Sequence, residues 1–388
     1  MRSDTATMAA LPPGVRGAAR FVDPEEVGAP PGSREAFQRA FCRDGPAHFV
    51  ENLRAAEAVL AEVEGRLLAL VAYTHQRGDA AAFSPMRHLV LYPLEIVTAG
   101  RLPDGMRKAL ARAAEALLAA TRFDDAVHLN HRVANAEPVP DLTRSGWQSL
   151  IDLARSRYPR SAIIVQGLRR RFESATIERL LGCGGRLMPA REISVFDPQV
   201  PHPGKAGLSV REQLRKSRKF WKTSLPRCEI DPALAPADLE RMAELFRIHS
   251  LRHSALNTRY TAEFFGLLSA TEGIEVTIWR DEDGTIENFA ICDRIGTLPQ
   301  FMHTAADPKT KKVRHALDIA FSRPLGIAME TGVPIGLGAL NVEFKRHRGA
   351  ELLLEYQVLF VDHLPLARRL LWRLVIAYRR WRFEGDAR

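Results

Sequence analysis

Apolar and polar positions follow two periods along this chain. One is near 3.6 residues and marks helices. The other is short apolar or alternating runs bounded by Gly and Pro, which mark strands. Residues 35–63, with Ala and Leu-type positions broken by charges, are expected to be helical. RLLALVAYTH (66–75), between Gly65 and Gly78, predicts a strand, and so does RHLVLYPLEIV (87–97) around Pro93. An alanine-rich helix over 104–121 follows, then a strand over 127–133 and a helix over 143–157 beginning near Thr143. After Pro159 come a strand (161–168), a helix (174–185) ended by Gly184 or Gly185, and a strand (191–197). Pro198, Pro201, His202, Pro203 and Gly204 then mark a linker.

The second half has the same order of elements. Helices are predicted over 207–223, 235–253 and 261–272. A hairpin over 274–295 turns at Asp283-Gly284. Strands over 298–305, 333–338 and 353–361 flank a helix over 314–331, and a basic helix closes the chain over 364–383. The repetition lies in element order, since no residue-level repeat is present. The expected fold is therefore α/β (α+β), with each half a mixed, twisted sheet flanked by helices.

Length agrees with that division, because 388 residues suggest two domains. A hydrophobic fraction of 46% supports a proper core and excludes a mainly disordered chain. The expected organisation is a flexible tail over 1–35, a first domain over 36–200, a second over 201–365, and a basic amphipathic helix over 366–388. No apolar run is long enough to span a bilayer, and residues 1–30 lack the apolar core of a secretory signal. Cys42, Cys183, Cys228 and Cys292 are far apart, so neither a disulfide scaffold nor a cysteine-built zinc site is expected, and a cytoplasmic location is.

The net charge of +9 is uneven. Segments 210–227, 307–315, 343–348 and 364–388 hold 21 basic and 5 acidic residues, so the rest of the chain is acidic overall. A basic second half suits an anionic partner: a phosphate-rich ligand, a nucleic acid or a membrane surface.

Several chemistries lack their signals. There is no GxSxG elbow, no GxGxxG and no GxxxxGK[ST] motif. His249 and His253 stand four apart on a predicted helix, but HSLRH lacks the Glu of HExxH, and no metal site is expected. The informative stretch is GLGALNVEFKRHRG (336–349), a polar, Gly-flanked insertion between two strands. Its Lys345, Arg346 and Arg348 can hold a phosphate or a developing oxyanion. A second candidate is RHSALNTRYT (252–261), which joins two helices and offers Ser254, Asn257 and Tyr260 as hydrogen-bonding contacts. In the C-terminal helix, Leu366, Leu370, Leu371, Leu374 and Tyr378 are expected to form one face with Arg on the other. That helix is expected to dock on its own domain, with an anionic membrane or RNA as alternatives.

Over residues 205–365 the chain resembles the GNAT-like acyltransferases of the FemAB/BioF2-like branch. The resemblance is carried by the basic helix REQLRKSRKFWK, the hairpin with DEDGTI, the strand with Phe301-Met302-His303, the helix ending METG, and NVEFKRHRGAELLLEY. Phe344-Lys345 followed by Gly349 matches a recurring site element of that branch. Residues 36–200 resemble a divergent first unit, so the resemblance implies two tandem GNAT-like domains. It also implies transfer of an acyl group to an amine-bearing small molecule, with no permanently bound cofactor and with acyl-CoA or aminoacyl-tRNA as co-substrate. Acetyl-CoA enzymes of the superfamily carry a Gly-rich loop before the main helix. Here the corresponding stretch, DPKTKKVRH (307–315), has no glycine, which favours aminoacyl-tRNA. The roles expected on this basis are Lys345, Glu343, His303 and Tyr356 in catalysis. Arg346, Arg348, Gly349, Lys311, Lys312 and Arg314 would bind the donor. Ser254, Asn257, Tyr260 and Asn341 would bind the acceptor. An acidic acyl-carrier protein would also suit the basic half. The competing reading is a non-catalytic GNAT-like protein that binds nucleic acid or an acidic partner through that half.

Overall fold

The structure is a computed structural model. It describes residues 18–384 apart from 55, 75–79, 81–83, 92–93, 95–101, 131–138, 202–203, 225–226, 311–312 and 340, and without the side chains of 204–207, 224, 253 and 313–317.

The first half begins with β1 (Arg20–Val22), α1 (Arg34–Asp44) and α2 (Pro46–Phe49), then β2 (Ala56–Val63) and β3 (Arg66–Tyr73). Of the helix expected over 35–63, only 34–44 and 46–49 are helical, and 56–63 is a strand. Gly45, at φ 81°, ends α1 by donating its N–H to Phe41 O, and Pro46 starts the next turn. The alanines of β2 favour helix in isolation. Glu64 and Gly65 both take positive φ, 51° and 73°, the two-residue turn that folds β2 back on β3. Strand pairing then overrides propensity. Residues 20–22, expected in a tail, pair with β2.

A π-helical turn (Arg87–Leu91) stands where a strand is expected over 87–97. The buried Asp124 carboxylate accepts from Ser84 Oγ at 2.7 Å and Met86 N at 2.6 Å and holds the chain off the sheet. The half continues with α3 (Asp104–Ala120), β4 (Ala126–His128), α4 (Arg144–Arg157), β5 (Ala162–Leu168), α5 (Arg170–Gly182) and β6 (Arg186–Phe196). Thr143 caps α4 as expected, its side chain accepting from Gly146 N at 3.0 Å.

The second half holds α6 (Gly204–Ser224), β7 (Cys228–Ile230), α7 (Pro236–His253), α8 (Ala262–Ser269), β8 (Ile274–Arg280), β9 (Ile286–Asp293) and β10 (Gln300–Ala306). It ends with α9 (Val313–Thr331), β11 (Ile335–Gly338), α10 (Val342–Arg346), β12 (Ala350–Phe360) and α11 (Leu366–Glu384). The predicted β8–β9 hairpin is present. Its turn is held by Asp281 Oδ1, which accepts from Asp283 N and Thr285 N.

Among the described residues, all strands join one sheet in the order β1-β2-β3-β4-β5-β12-β6-β11-β10-β9-β8-β7. Read from either edge, the order is the same. Antiparallel neighbours lead to one parallel pair, β4 with β5 or β10 with β11. The last strand of each half is exchanged. β12 lies against β5 of the first half, and β6 lies against β11 of the second. The two exchanged strands pair antiparallel at the centre, from Ala350 with Phe196 to Leu359 with Arg186. The fold is mixed α/β, with two halves of like strand order built on one shared sheet. Apolar clusters cover both faces. Trp147 and Leu180 lie in one, Trp372 and Phe123 in another, and Phe264 and Phe289 in a third.

The C-terminal helix docks through a different face from the one expected. Arg368, Trp372, Ile376 and Arg379 are buried, while Leu366, Leu370, Leu374 and Tyr378 are exposed. Arg379 donates to the carbonyls of Pro189 and Ala190, and Arg380 to that of Leu187 at 2.8 Å. These are carbonyls of β6 beyond the end of β11, so the helix arginines satisfy an otherwise open sheet edge.

Candidate active site

The two parallel strand pairs differ. In the first half, β4 and β5 stay joined past their ladder. Leu129 N donates to Ile164 O at 2.9 Å, and the Asn130 side chain donates to Gln166 O and accepts from Gln166 N. In the second half, β10 and β11 share one register pair, Gln300 with Gly336. The strands part beyond it, β10 following β9 and β11 following β6. The Gln300 side chain lies over Gly336, where a Cβ would sit 2.6 Å from Gln300 Nε2. That side chain is held, because its Nε2 donates to Leu298 O at 3.0 Å. Gly336→Ala is therefore expected to cost about 1–3 kcal/mol. Adding Gln300→Ala is expected to restore most of this, read as the midpoint of urea unfolding.

Lys345 sits at the end of the parted strand. Asn341, left-handed at φ 56°, starts the one-turn helix α10, which aims Lys345 inward. The residue is 2% exposed, and Nζ donates to Gly338 O at 3.0 Å, with the Phe321 ring centroid 5.8 Å away. Burial, with the Arg191 charge second, pushes its ammonium down to about 7. No carboxylate is hydrogen-bonded to Nζ in the described structure, so near neutrality this amine can take up or give up a proton.

Arg191, whose charge reaches Lys345, belongs to a second group of polar residues on the central strands. Arg191 on β6 faces Glu355 on β12 and donates to its Oε1 at 2.8 Å. His88 of the π-helical turn lies close enough to feel Arg191, Arg379, Glu355 and His128. Burial first, and then the two arginines, push its imidazole down to about 3, so it is neutral. The sequence hardly marks this group of Arg191, Glu355 and His88. Its only sequence signal is the charges inside apolar strands: Arg191 in RLMPAREISVF and Glu355 in AELLLEYQVLF.

The other expected site residues are placed as follows. Glu343 and Arg346 are exposed and pair with each other at 3.0 Å. Arg348, expected to hold donor phosphate, is instead buried. It donates to Asp318 at 3.0 Å and to Phe344 O, with its guanidinium 3.5 Å from the Phe344 ring centroid, so it anchors α10 to α9. Gly349 takes φ 86°, which lets the chain turn into β12. Tyr356 faces the first-half core beneath Arg170 rather than Lys345. His303 and Tyr260 do meet, with ring centroids 5.0 Å apart. They meet inside an aromatic cluster with Phe246 and Phe264, on the α7–α8 side of the sheet, away from the Phe321 that flanks Lys345. Ser254 and Asn257 shape the turn after α7. Ser254 Oγ accepts from Leu256 N, and Asn257 Nδ2 donates to Ser250 O. Asn341 is exposed at the start of α10. Lys311 and Lys312 lie outside the described residues, as does the Arg314 side chain.

The loop between β10 and α9 is occupied by its own carboxylate. Asp307 Oδ1 accepts from Lys309 N at 2.7 Å, and Asp307 also pairs with Arg241.

No protein-family model matches this chain, and no curated protein does. Among solved structures, it is similar to the crystal structure of FemX, with 10% identity and a TM-score of 0.48 over 92% of this chain and 99% of that one. The L-PGS structure from Bacillus licheniformis is 13% identical, with a TM-score of 0.39 over 60% and 77%. A tandem GNAT protein from the clavulanic acid biosynthesis pathway is 11% identical, with a TM-score of 0.32 over 86% and 90%. The fold class rests on the strand order of this chain itself. No helix among the described residues is long and apolar enough to cross a membrane.

Proposed function

We propose that the protein is an N-acyltransferase, moving an acyl or aminoacyl group from an activated ester or thioester to an amine. The observation that carries this reading is the parting of β10 and β11 after one register pair, with buried Lys345 at the end of the parted strand. Parted strands offer backbone donors and acceptors to an extended ligand, such as the arm of an acyl donor. Attack by an amine on the carbonyl forms the new C–N bond and requires the amine to lose a proton. Neutral Lys345 Nζ takes that proton and returns it to the departing ester oxygen or thioester sulfur as the carbonyl re-forms, leaving amide, free donor alcohol or thiol, and neutral lysine, while the Arg191 charge adds positive potential to the site.

The preferred donor is aminoacyl-tRNA. The loop before α9 has no glycine, and Asp307 uses one of its backbone N–H groups while adding negative charge. Both features disfavour a CoA pyrophosphate. The acceptor is an amine-bearing small molecule. Purified protein incubated with a panel of amines is expected to transfer label from charged tRNA. Transfer from acetyl-CoA, indifferent to charged tRNA, would overturn the donor. Failure to discharge either donor to any amine would overturn the reaction class.

A further inference from the structure

The outer face of α11 is apolar although the helix is basic. Leu366 is 61% exposed, Leu370 49%, Leu374 67%, Tyr378 55% and Trp381 70%. Spacings of four, four, four and three residues put these side chains on one stripe, about 22 Å long at 1.5 Å per residue. The rim is cationic. Arg369, Arg373 and Arg382 flank the stripe, Arg373 also pairing with Asp362 at 3.1 Å, and Glu384 is the only acid in the helix. The opposite face is already used. Trp372 stacks on Phe123 with centroids 4.3 Å apart, and Arg368 donates to Arg122 O at 2.6 Å. The stripe is therefore not a core face awaiting its own domain.

A second stripe lies on a helix of the same apolar cluster. Leu118 of α3 packs in the cluster that holds Trp372. On the outer side of α3, Met106 is 58% exposed, Leu110 43% and Leu117 68%, next to Arg107, Lys108 and Arg112.

We infer that α11 docks the protein on an anionic lipid surface. Leu366, Leu370, Leu374 and Trp381 enter the headgroup–acyl boundary while the flanking arginines meet lipid phosphates. Leucine with Tyr and Trp, rimmed by cations, is the composition that suits this interface. A second copy fits less well, because self-pairing of the stripe would set arginine rims against each other. RNA fits less well because three of the five positions are leucines, which offer no ring for a base to stack on. The inference does not depend on the acyltransferase reading.

The test uses the full chain, because α11 covers the carbonyls of β6 and cannot be removed cleanly. A triple variant, Leu370→Ser, Leu374→Ser and Trp381→Ser, alters only exposed positions and is expected to unfold at the wild-type midpoint. Wild type is expected to co-sediment with vesicles of phosphatidylcholine mixed with phosphatidylglycerol. It should bind phosphatidylcholine alone far less, and the triple variant should bind the mixed vesicles about tenfold less or weaker. No binding of wild type to the mixed vesicles overturns the inference, as does equal binding by the variant. Reversible dimerisation that the variant abolishes, without vesicle binding, would assign the stripe to a second copy instead. RNA binding that the variant abolishes, without vesicle binding, would assign it to RNA.

Discussion

Lys345→Met is expected to lower kcat by about 10²–10⁴-fold, the usual worth of a positioned acid or base, and to leave the fold intact. Methionine has nearly the length of lysine and suits a site beside Phe321. The pH dependence separates this role from simple charge. Burial and Arg191 place the Lys345 ammonium at about 7, so activity should rise as pH passes about 7 and the amine becomes neutral. Lys345→Arg keeps a cation that does not deprotonate there, and it should be as inactive as the Met variant. Wild-type turnover in the Arg variant would show that a fixed charge suffices and would remove Lys345 as the base. Stability offers a second readout. A lysine whose folded value lies below its unfolded 10.5 opposes folding by the full amount below about pH 7. That penalty shrinks as pH rises from about 7 toward 10.5. The Tm of the Met variant relative to wild type should therefore be most favourable at pH 6 and decline toward pH 9.

The largest loss of stability is expected from Glu275→Ala, about 3–5 kcal/mol. Glu275 on β8 is 2% exposed and takes two hydrogen bonds of 2.6 Å, from Nε and Nη2 of Arg323 on α9. Arg294 adds a third at 3.2 Å, and Arg323 also lies over the Trp221 ring of α6. Removing the carboxylate leaves Arg323 buried without its main counter-charge, which costs far more than the net worth of the pair. The double variant Glu275→Leu, Arg323→Met removes both charges and should recover most of the loss. Urea unfolding of the two variants and wild type checks this. A loss below about 1 kcal/mol for Glu275→Ala would mean that water replaces the carboxylate and that the site is effectively exposed. Because Arg323 ties α9 to the sheet, and α9 carries the Phe321 that flanks Lys345, the single variant should also lose activity before it unfolds.

Much of the candidate site was legible in part. The stretch 336–349 stood out because charge and glycine interrupt two apolar strands, and Lys345 in it does reach the end of β11. The roles of its neighbours were not legible. Arg346 and Arg348 are two residues apart and chemically alike, yet one is exposed and the other is locked to Asp318. On a single turn of helix that spacing points them in different directions, and only the position of α9 decides which is buried. His303 and Tyr260, expected in catalysis and in acceptor binding, meet in an aromatic cluster, because a histidine in an apolar strand reads the same whether its face meets a cleft or a core. Arg191 and Glu355 were missed because their partnership depends on the pairing of strands more than 160 residues apart.

The sequence by itself determined the classes of most elements, the caps and turns such as Thr143 and Asp283-Gly284, and the twofold repetition of element order. Those are local matters, set by hydrophobic period and by which residues tolerate a given φ and ψ. Residues 56–63 depart from the helix expected there because alanine-rich segments take strand geometry when a hairpin partner is supplied at Glu64-Gly65. Only the tertiary structure decided that β6 and β12 change places between the halves, that β4 and β5 stay closed while β10 and β11 part, and which face of α11 is buried. An amphipathic pattern states that one face must be covered. What covers it is settled by the packing of distant segments, and here Arg368 and Arg379 went inward to carbonyls while leucines stayed outside.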